Sequence, residues 1–192
     1  ALPIYTRIDH SFVTPLSLIT PAYDVPIVPI AVNCNRPPLV SLARSHEAGR
    51  RIGEALREGP AGRAVVIGTG GLSHWVGDQA RQDYLRWPAG TRFGREAEFP
   101  VVLGERGEVN EAWDLAFVDR LARGDSAGFI RDNDNERIVR EAGNGAQEIR
   151  NWLCAAGMVG DAPLESIAYE GIREWHTGIG LGRFRKIGRA HV

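Results

Sequence analysis

The chain has 192 residues, with 23 Lys and Arg against 24 Asp and Glu, a formal net charge of -1. That balance offers no basic field for nucleic acid or an anionic membrane, and neither is expected as a partner. Hydrophobic residues make up 43% and charged residues 24%, ordinary globular values that exclude disorder as the default state, and no apolar run is long enough to span a bilayer.

The chain opens on Ala1-Leu-Pro-Ile4 and closes on Ile187-Gly-Arg-Ala-His-Val192. Both ends can be back-translated into reverse-complementary strings that match a common short-read sequencing adapter. Residues 1–4 and 187–192 are therefore expected to be read-through, and the natural protein is expected to continue beyond both ends. No secretory signal is visible. Cys34 and Cys154 form neither a disulfide framework nor a metal knuckle, which suits two reduced thiols in a cytoplasmic protein.

Pro26 to Val32 is a short β-branched run that predicts a buried strand, followed by a loop over Asn33 to Pro38. Leu42 to Glu58 predicts an amphipathic helix, with Leu42, Ala43, Ala48, Ile52, Ala55 and Leu56 as its apolar or small positions and Gly59-Pro60 as its stop. Arg63 to Gly68 predicts a second strand with a continuous apolar centre, as in a sheet covered on both faces. Strand, helix and strand in that order fit a right-handed βαβ unit.

A glycine-rich turn, Gly68 to His74, follows directly. Trp75 to Gly107 lacks periodicity and predicts a long irregular excursion with one short helix near Gln79 to Leu85. Asn110 to Arg123 predicts a helix with Trp113, Phe117, Val118 and Leu121 on one face. Short helices are predicted over Asn133 to Ala142 and over Asn144 to Ala156, the latter with Asn144 as N-cap and Gln147 completing a capping box. Ser166 to Tyr169 predicts a strand. The fold class expected is α/β, a mostly parallel central sheet with helices on both faces, incomplete because an N-terminal part is missing. Missing strands would expose apolar surface, so poor solubility is expected of this piece alone.

Few residues point to chemistry. His74 ends a glycine-rich turn after a strand, where α/β sheets collect ligands, and a histidine there can exchange protons near neutral pH. It can equally cap the turn. Gly68 to Gly71 has neither the GxGxxG spacing nor a following Lys-Ser/Thr, so a phosphate cradle is a weak alternative. His10 sits beside Asp9, which can orient its ring or cap a turn. Glu148 falls in the first turn of a predicted helix, where the dipole alone favours a carboxylate. Asp132, Asp134 and Glu141 read as solvated charges, His46 as solvent-facing, and His176 is uncertain. No HxH or HExxH appears, so no self-contained metal site is legible.

Taken in order, five motifs carry a resemblance. They are Asp9-His10 with Thr14-Pro-Leu16, Ile67-Gly-Thr-Gly-Gly-Leu-Ser-His74, Ala112-Trp-Asp-Leu-Ala-Phe117, Glu141-Ala-Gly-Asn-Gly-Ala-Gln-Glu-Ile-Arg-Asn-Trp152 and Glu174-Trp-His-Thr-Gly-Ile-Gly180. Together they resemble the class III extradiol ring-cleavage dioxygenases, such as the protocatechuate 4,5-dioxygenase β subunit, gallate dioxygenase and 2,3-dihydroxyphenylpropionate dioxygenase. Residues 5–186 are then a partial catalytic domain.

The resemblance implies meta cleavage of a catechol-type diol with O2 at one non-haem Fe(II), held by two histidines and a glutamate. Glu148 matches the glutamate ligand. His74 matches the acid/base histidine, and His10 a second active-site histidine. Both iron-binding histidines lie upstream of the region matching Asp9 and are absent, so the piece itself is expected to be inactive. Gly70, Gly71, Trp75 and Asn144 are the expected substrate-side residues. Trp75 stands where a Gln is common in relatives and can reshape the pocket. Arg86, Arg92 and Arg95 read first as charges of a solvated loop, with binding of a substrate carboxylate as the alternative. A homo-oligomer is expected, with a small partner subunit possible. A non-catalytic relative of the same fold and a phosphate-binding hydrolase or phosphorylase are the alternatives.

Overall fold

The computed structural model describes residues 10–34, 38–59, 64–75 and 109–185. They divide into two units, residues 1–31 and residues 32–192. In the first, α1 spans His10–Ile19 and contains Pro15, with no buried residue. This helix was not expected. Val13, Thr14 and Pro15 are poor helix formers. Its C-terminal end is tied by Thr20 N–H and Oγ1–H to the Leu16 carbonyl at 2.8 and 3.2 Å.

In the second unit, α2 spans Leu42–Glu58, the predicted bounds. Ser41 Oγ caps it by accepting from Arg44 N–H at 3.2 Å, and Gly59 N–H closes it onto the Ala55 carbonyl at 3.0 Å. Its buried face differs from the predicted one. Leu42, Ser45, Gly49 and Gly53 are buried, while Ala43, Ala48, Ala55 and Leu56 are exposed. The reason is close backbone approach. A Cβ at Gly49 or Gly53 would overlap the backbone of Cys154 or Met158 on the facing helix. Small size, rather than hydrophobicity, decides which side of α2 packs.

Next come α3 (Glu111–Ala122), α4 (Ser126–Asp132) and α5 (Asn135–Ala142). Each begins at a side-chain cap. Asn110 accepts from Trp113 N–H at 3.1 Å, Asp125 from Gly128 N–H at 2.9 Å and Asp134 from Arg137 N–H at 2.7 Å, bonds each worth about 1 kcal/mol. A 3-10 turn, Gly145–Glu148, leads into α6, Ile149–Met158. The predicted capping box does not form, because Asn144 makes no side-chain cap. Gln147 instead turns inward and donates from Nε2 to the Asn135 carbonyl at 2.8 Å.

β1 (Leu164–Ile172) and β2 (Thr177–Phe184) pair antiparallel, with a register shift between Ser166 and Ala168. A 3-10 turn, Arg173–Trp175, joins them, and His176 takes φ 50° at its end. The predicted strand at Ser166 to Tyr169 is thus the middle of a longer one. Leu72 N–H donates to the Gly178 carbonyl at 3.0 Å and Gly178 N–H to the Ser73 carbonyl at 2.8 Å. The glycine-rich turn is thereby stitched to the start of β2.

The core joins Leu72, Phe117, Leu121, Phe129, Ile138, Ile149, Trp152, Leu153 and Leu164, each contributing about 1.5–3 kcal/mol of burial. Phe117 meets Phe129 edge-on at 4.8 Å between ring centroids. A mostly parallel central sheet is not seen among the described residues, whose sheet is the antiparallel pair. Residues 26–32 and 64–68 carry no ladder. Val28 is 86% exposed and Val65 is 82% exposed. A parallel strand needs neighbours and cover on both faces, and these segments lack them among the described residues. The predicted short helix at Gln79 to Leu85, along with Arg86, Arg92, Arg95 and Asp9, lies outside the described residues. No helix among the described residues is long and apolar enough to cross a membrane.

Candidate active site

Two turns face each other. One carries His74, the other Glu148. The His74 turn is held by its main chain: His74 N–H donates to the Ala142 carbonyl at 2.9 Å, and Gly145 N–H donates to the His74 carbonyl at 3.1 Å. His74 Nδ1 lies 2.9 Å from the Leu72 carbonyl. A carbonyl only accepts, so Nδ1 carries the hydrogen, and in the neutral ring Nε2 keeps the lone pair. Nε2 is 4.0 Å from Glu148 Oε1, too far for a hydrogen bond. The His74 side chain is 13% exposed and that of Glu148 is 40% exposed.

Glu148 is fixed from the His74 side. Its Oε2 accepts from Gly71 N–H at 2.6 Å. Gly70 takes φ 150°, and a Cβ there would sit 2.9 Å from Glu148 Cβ. Trp152 Nε1–H holds the Gly70 carbonyl at 2.9 Å. Gly145 approaches the His74 ring so closely that a Cβ would overlap it. Asn144, buried, directly precedes that glycine. Trp75 is half-buried beside the turn at Gly143, where a Cβ would meet its ring at 3.0 Å. The structure thus brings together His74, Glu148, Gly70, Gly71 and Asn144, with Trp75 next to them. His10 is exposed at the start of α1, in the other unit.

Within the Gly68 to Gly71 loop, the Gly71 N–H is committed to a carboxylate, Glu148. The N–H groups that follow, of Leu72, Ser73 and His74, go to Gly178, Asp114 and Ala142. His46, expected to face solvent, is half-buried and bonds Asp161 through Nε2 at 2.9 Å. Asp132 and Glu141 pair at the surface with Arg120 and Arg137, both at 2.8 Å.

Sequence reasoning missed two polar residues in this region. Asp114 is 0% exposed and holds Ser73. Its spacing was the available signal, since it shares the apolar stripe of Phe117, Val118 and Leu121 on α3. Burial raises its pKa, against the lowering effect of hydrogen bonds from Ser73 and Tyr169. Arg150 is also fully buried. It donates to the Val40 carbonyl at 2.6 Å, to the Gln147 carbonyl at 3.0 Å and to the Gln147 and Asn135 side chains. Nearby, burial pushes the Cys34 thiol up to about 11.

Residues 5–180 match the family described as the catalytic LigB subunit of aromatic ring-opening dioxygenase. The chain belongs to the LigB family. Among curated relatives, it is 32% identical to a 2,3-dihydroxyphenylpropionate/2,3-dihydroxicinnamic acid 1,2-dioxygenase of Paraburkholderia phymatum, over 91% of this chain and 61% of that protein. It is 31% identical to the enzyme of the same name from Burkholderia vietnamiensis, over 94% and 63%. Against that of Mycolicibacterium vanbaalenii it is 33% identical, over 77% and 52%. The chain therefore spans between about half and just under two thirds of the length of these LigB-family relatives.

Proposed function

We propose that this chain is part of a non-haem Fe(II)-dependent extradiol dioxygenase that opens a catechol-type diol with O2. The observation that carries the reading is the facing pair: His74, with Nδ1 committed to the Leu72 carbonyl, presents Nε2 4.0 Å from Glu148 Oε1. Membership of the LigB family and the names of its relatives support it. Those names make a 2,3-dihydroxylated arylpropionate or cinnamate the first substrate class to try.

The described residues fit one position of an iron site and not a whole one. Glu148 offers a hard carboxylate oxygen, partly exposed and oriented by Gly71. No group of three or more His, Cys, Asp and Glu able to hold a metal occurs among the described residues. Glu148 would be one ligand, and two further donors would come from elsewhere in the whole protein. Bound iron would supply the electron path between diol and dioxygen.

The chain's own residues do the proton and positioning work. His74 Nε2, kept basic by the tautomer that Leu72 selects, takes a proton from a diol hydroxyl and returns it when the ring opens. Gly145 and Gly71 both lie so close to the imidazole that a Cβ at either would crowd it. Trp75 and Asn144 border the space in which the aromatic ring would lie. His10 is proposed as a second proton donor. In the whole protein, residues 26–32 and 64–68 are proposed to join a mostly parallel sheet. The enzyme is proposed to be a cytoplasmic homo-oligomer, with a small partner subunit as a further possibility.

The test is oxygen uptake by the full natural reading frame, reconstituted with Fe(II) and given 2,3-dihydroxyphenylpropionate. The expected result is one O2 consumed per diol, with a yellow ring-opened product. His74→Ala should lower kcat by about 10²–10⁴-fold. No uptake with any catechol would overturn the proposal.

A further inference from the structure

We propose that Asp114 is the positioning residue for His74, setting the histidine ring through Ser73. Asp114 lies inside the core on α3, where a carboxylate is costly unless donors surround it. Three donors do. Ser73 N–H reaches Oδ1 at 2.7 Å, Ser73 Oγ–H reaches Oδ2 at 2.8 Å, and Tyr169 O–H from β1 reaches Oδ2 at 2.8 Å. Ser73 Oγ itself accepts from Asn110 N–H at 2.8 Å, so its own hydrogen is committed to the carboxylate. Gly178 of β2 closes the site, because a Cβ there would overlap Asp114 Oδ2.

Both backbone and side chain of Ser73 are thus captured by one buried carboxylate. Ser73 is the link between His74 and Leu72, whose carbonyl takes the His74 Nδ1–H. Rotation of that link would swing the accepting carbonyl away from the ring and release its tautomer. A tie serving only to dock α3 on the hairpin would need Tyr169 but not two bonds to Ser73. The inference rests on His74 being the proton-transfer group of the proposed reaction.

The experiment uses the full natural reading frame, with Ser73→Ala, Asp114→Ala and Asp114→Asn. Nitrogen-15 histidine NMR on the metal-free protein, at a pH where His74 is neutral, reads its tautomer without needing turnover. The wild type is expected to show a single Nδ1–H form. Ser73→Ala and Asp114→Ala should give mixed tautomers. In the iron-loaded enzyme, kcat should fall by about 10²-fold, the cost of a misplacement near 1 Å, with KM within about twofold. Asp114→Asn keeps an acceptor for Ser73 N–H and, through its amide, a side-chain partner for Ser73 Oγ, the bond that Ser73→Ala removes, so it should recover most of both signals. Unchanged tautomer and kcat in Ser73→Ala, with only a lower Tm, would overturn the inference even if Asp114→Ala fails to fold. Mixed tautomers in a protein with no ring-cleaving activity would uphold the positioning and sink the reaction.

Discussion

The turns carrying His74 and Glu148 meet, yet they are held by different means. The His74 turn hangs on directed hydrogen bonds: Ala142 and Gly145 on its main chain, Leu72 on its ring, Asp114 on the residue before it. The Glu148 turn is packed into the core. Ala146, Gln147, Ile149 and Arg150 around it are buried, and α6 runs on from it against the small face of α2. A packed turn is rigid because moving it exposes apolar surface. A hydrogen-bonded turn is aimed, and small errors change its angle before its stability. Damage to the Glu148 side should therefore appear first in stability, and damage to the His74 side first in rate.

Arg150→Ala should break the packed side. It detaches the loop at Val40 and leaves Gln147 Oε1 without its guanidinium in the interior. The expected loss is about 3 kcal/mol, read as a lower urea midpoint, and an unchanged midpoint would contradict the contrast. Gly145→Ala, although it lies on the Glu148 turn, should disturb the aimed side, since its methyl would overlap the His74 ring. A fall in kcat of about 10²-fold is expected, equivalent to about 2.7 kcal/mol, with a smaller change in midpoint.

A pH series sharpens the contrast further. Burial raises the pKa of Asp114, so the folded state binds its proton more tightly than the unfolded chain, whose aspartate titrates near 3.9. Stability attributable to this group is then largest below that value. It is lost as pH rises from that value through the raised pKa of the folded state. Asp114→Asn should flatten the slope of unfolding free energy in that window, and an identical slope in wild type and variant would contradict this.

The sequence disclosed what local rules control. Gly59 ends α2, and Asn110 starts α3, because a cap is settled by a few neighbouring residues. It misled where a distant partner decides. The Asn144 and Gln147 pair matches a capping box in spacing, yet Gln147 donates to the Asn135 carbonyl of the preceding helix and accepts from Arg150. The face of α2 looked apolar at Ile52 and Leu56, while α6 demanded the smaller Gly49 and Gly53. Residues 26–32 and 64–68 have strand composition, but composition does not supply a neighbouring strand. At the site, motif order pointed to His74 and Glu148, whose turns do meet. Asp114 was hidden in plain view within the Ala112 to Phe117 motif, because its role appears only when Ser73 and Tyr169 come to it from elsewhere in the chain.

The most direct test is turnover per bound iron, measured on the full reading frame as wild type, His74→Ala and Glu148→Gln. If His74 moves protons and Glu148 holds metal, His74→Ala retains iron but loses turnover by at least about 10²-fold, while Glu148→Gln loses the iron itself. Iron and turnover both retained in Glu148→Gln, or full turnover per iron in His74→Ala, would contradict the division of labour between the two turns.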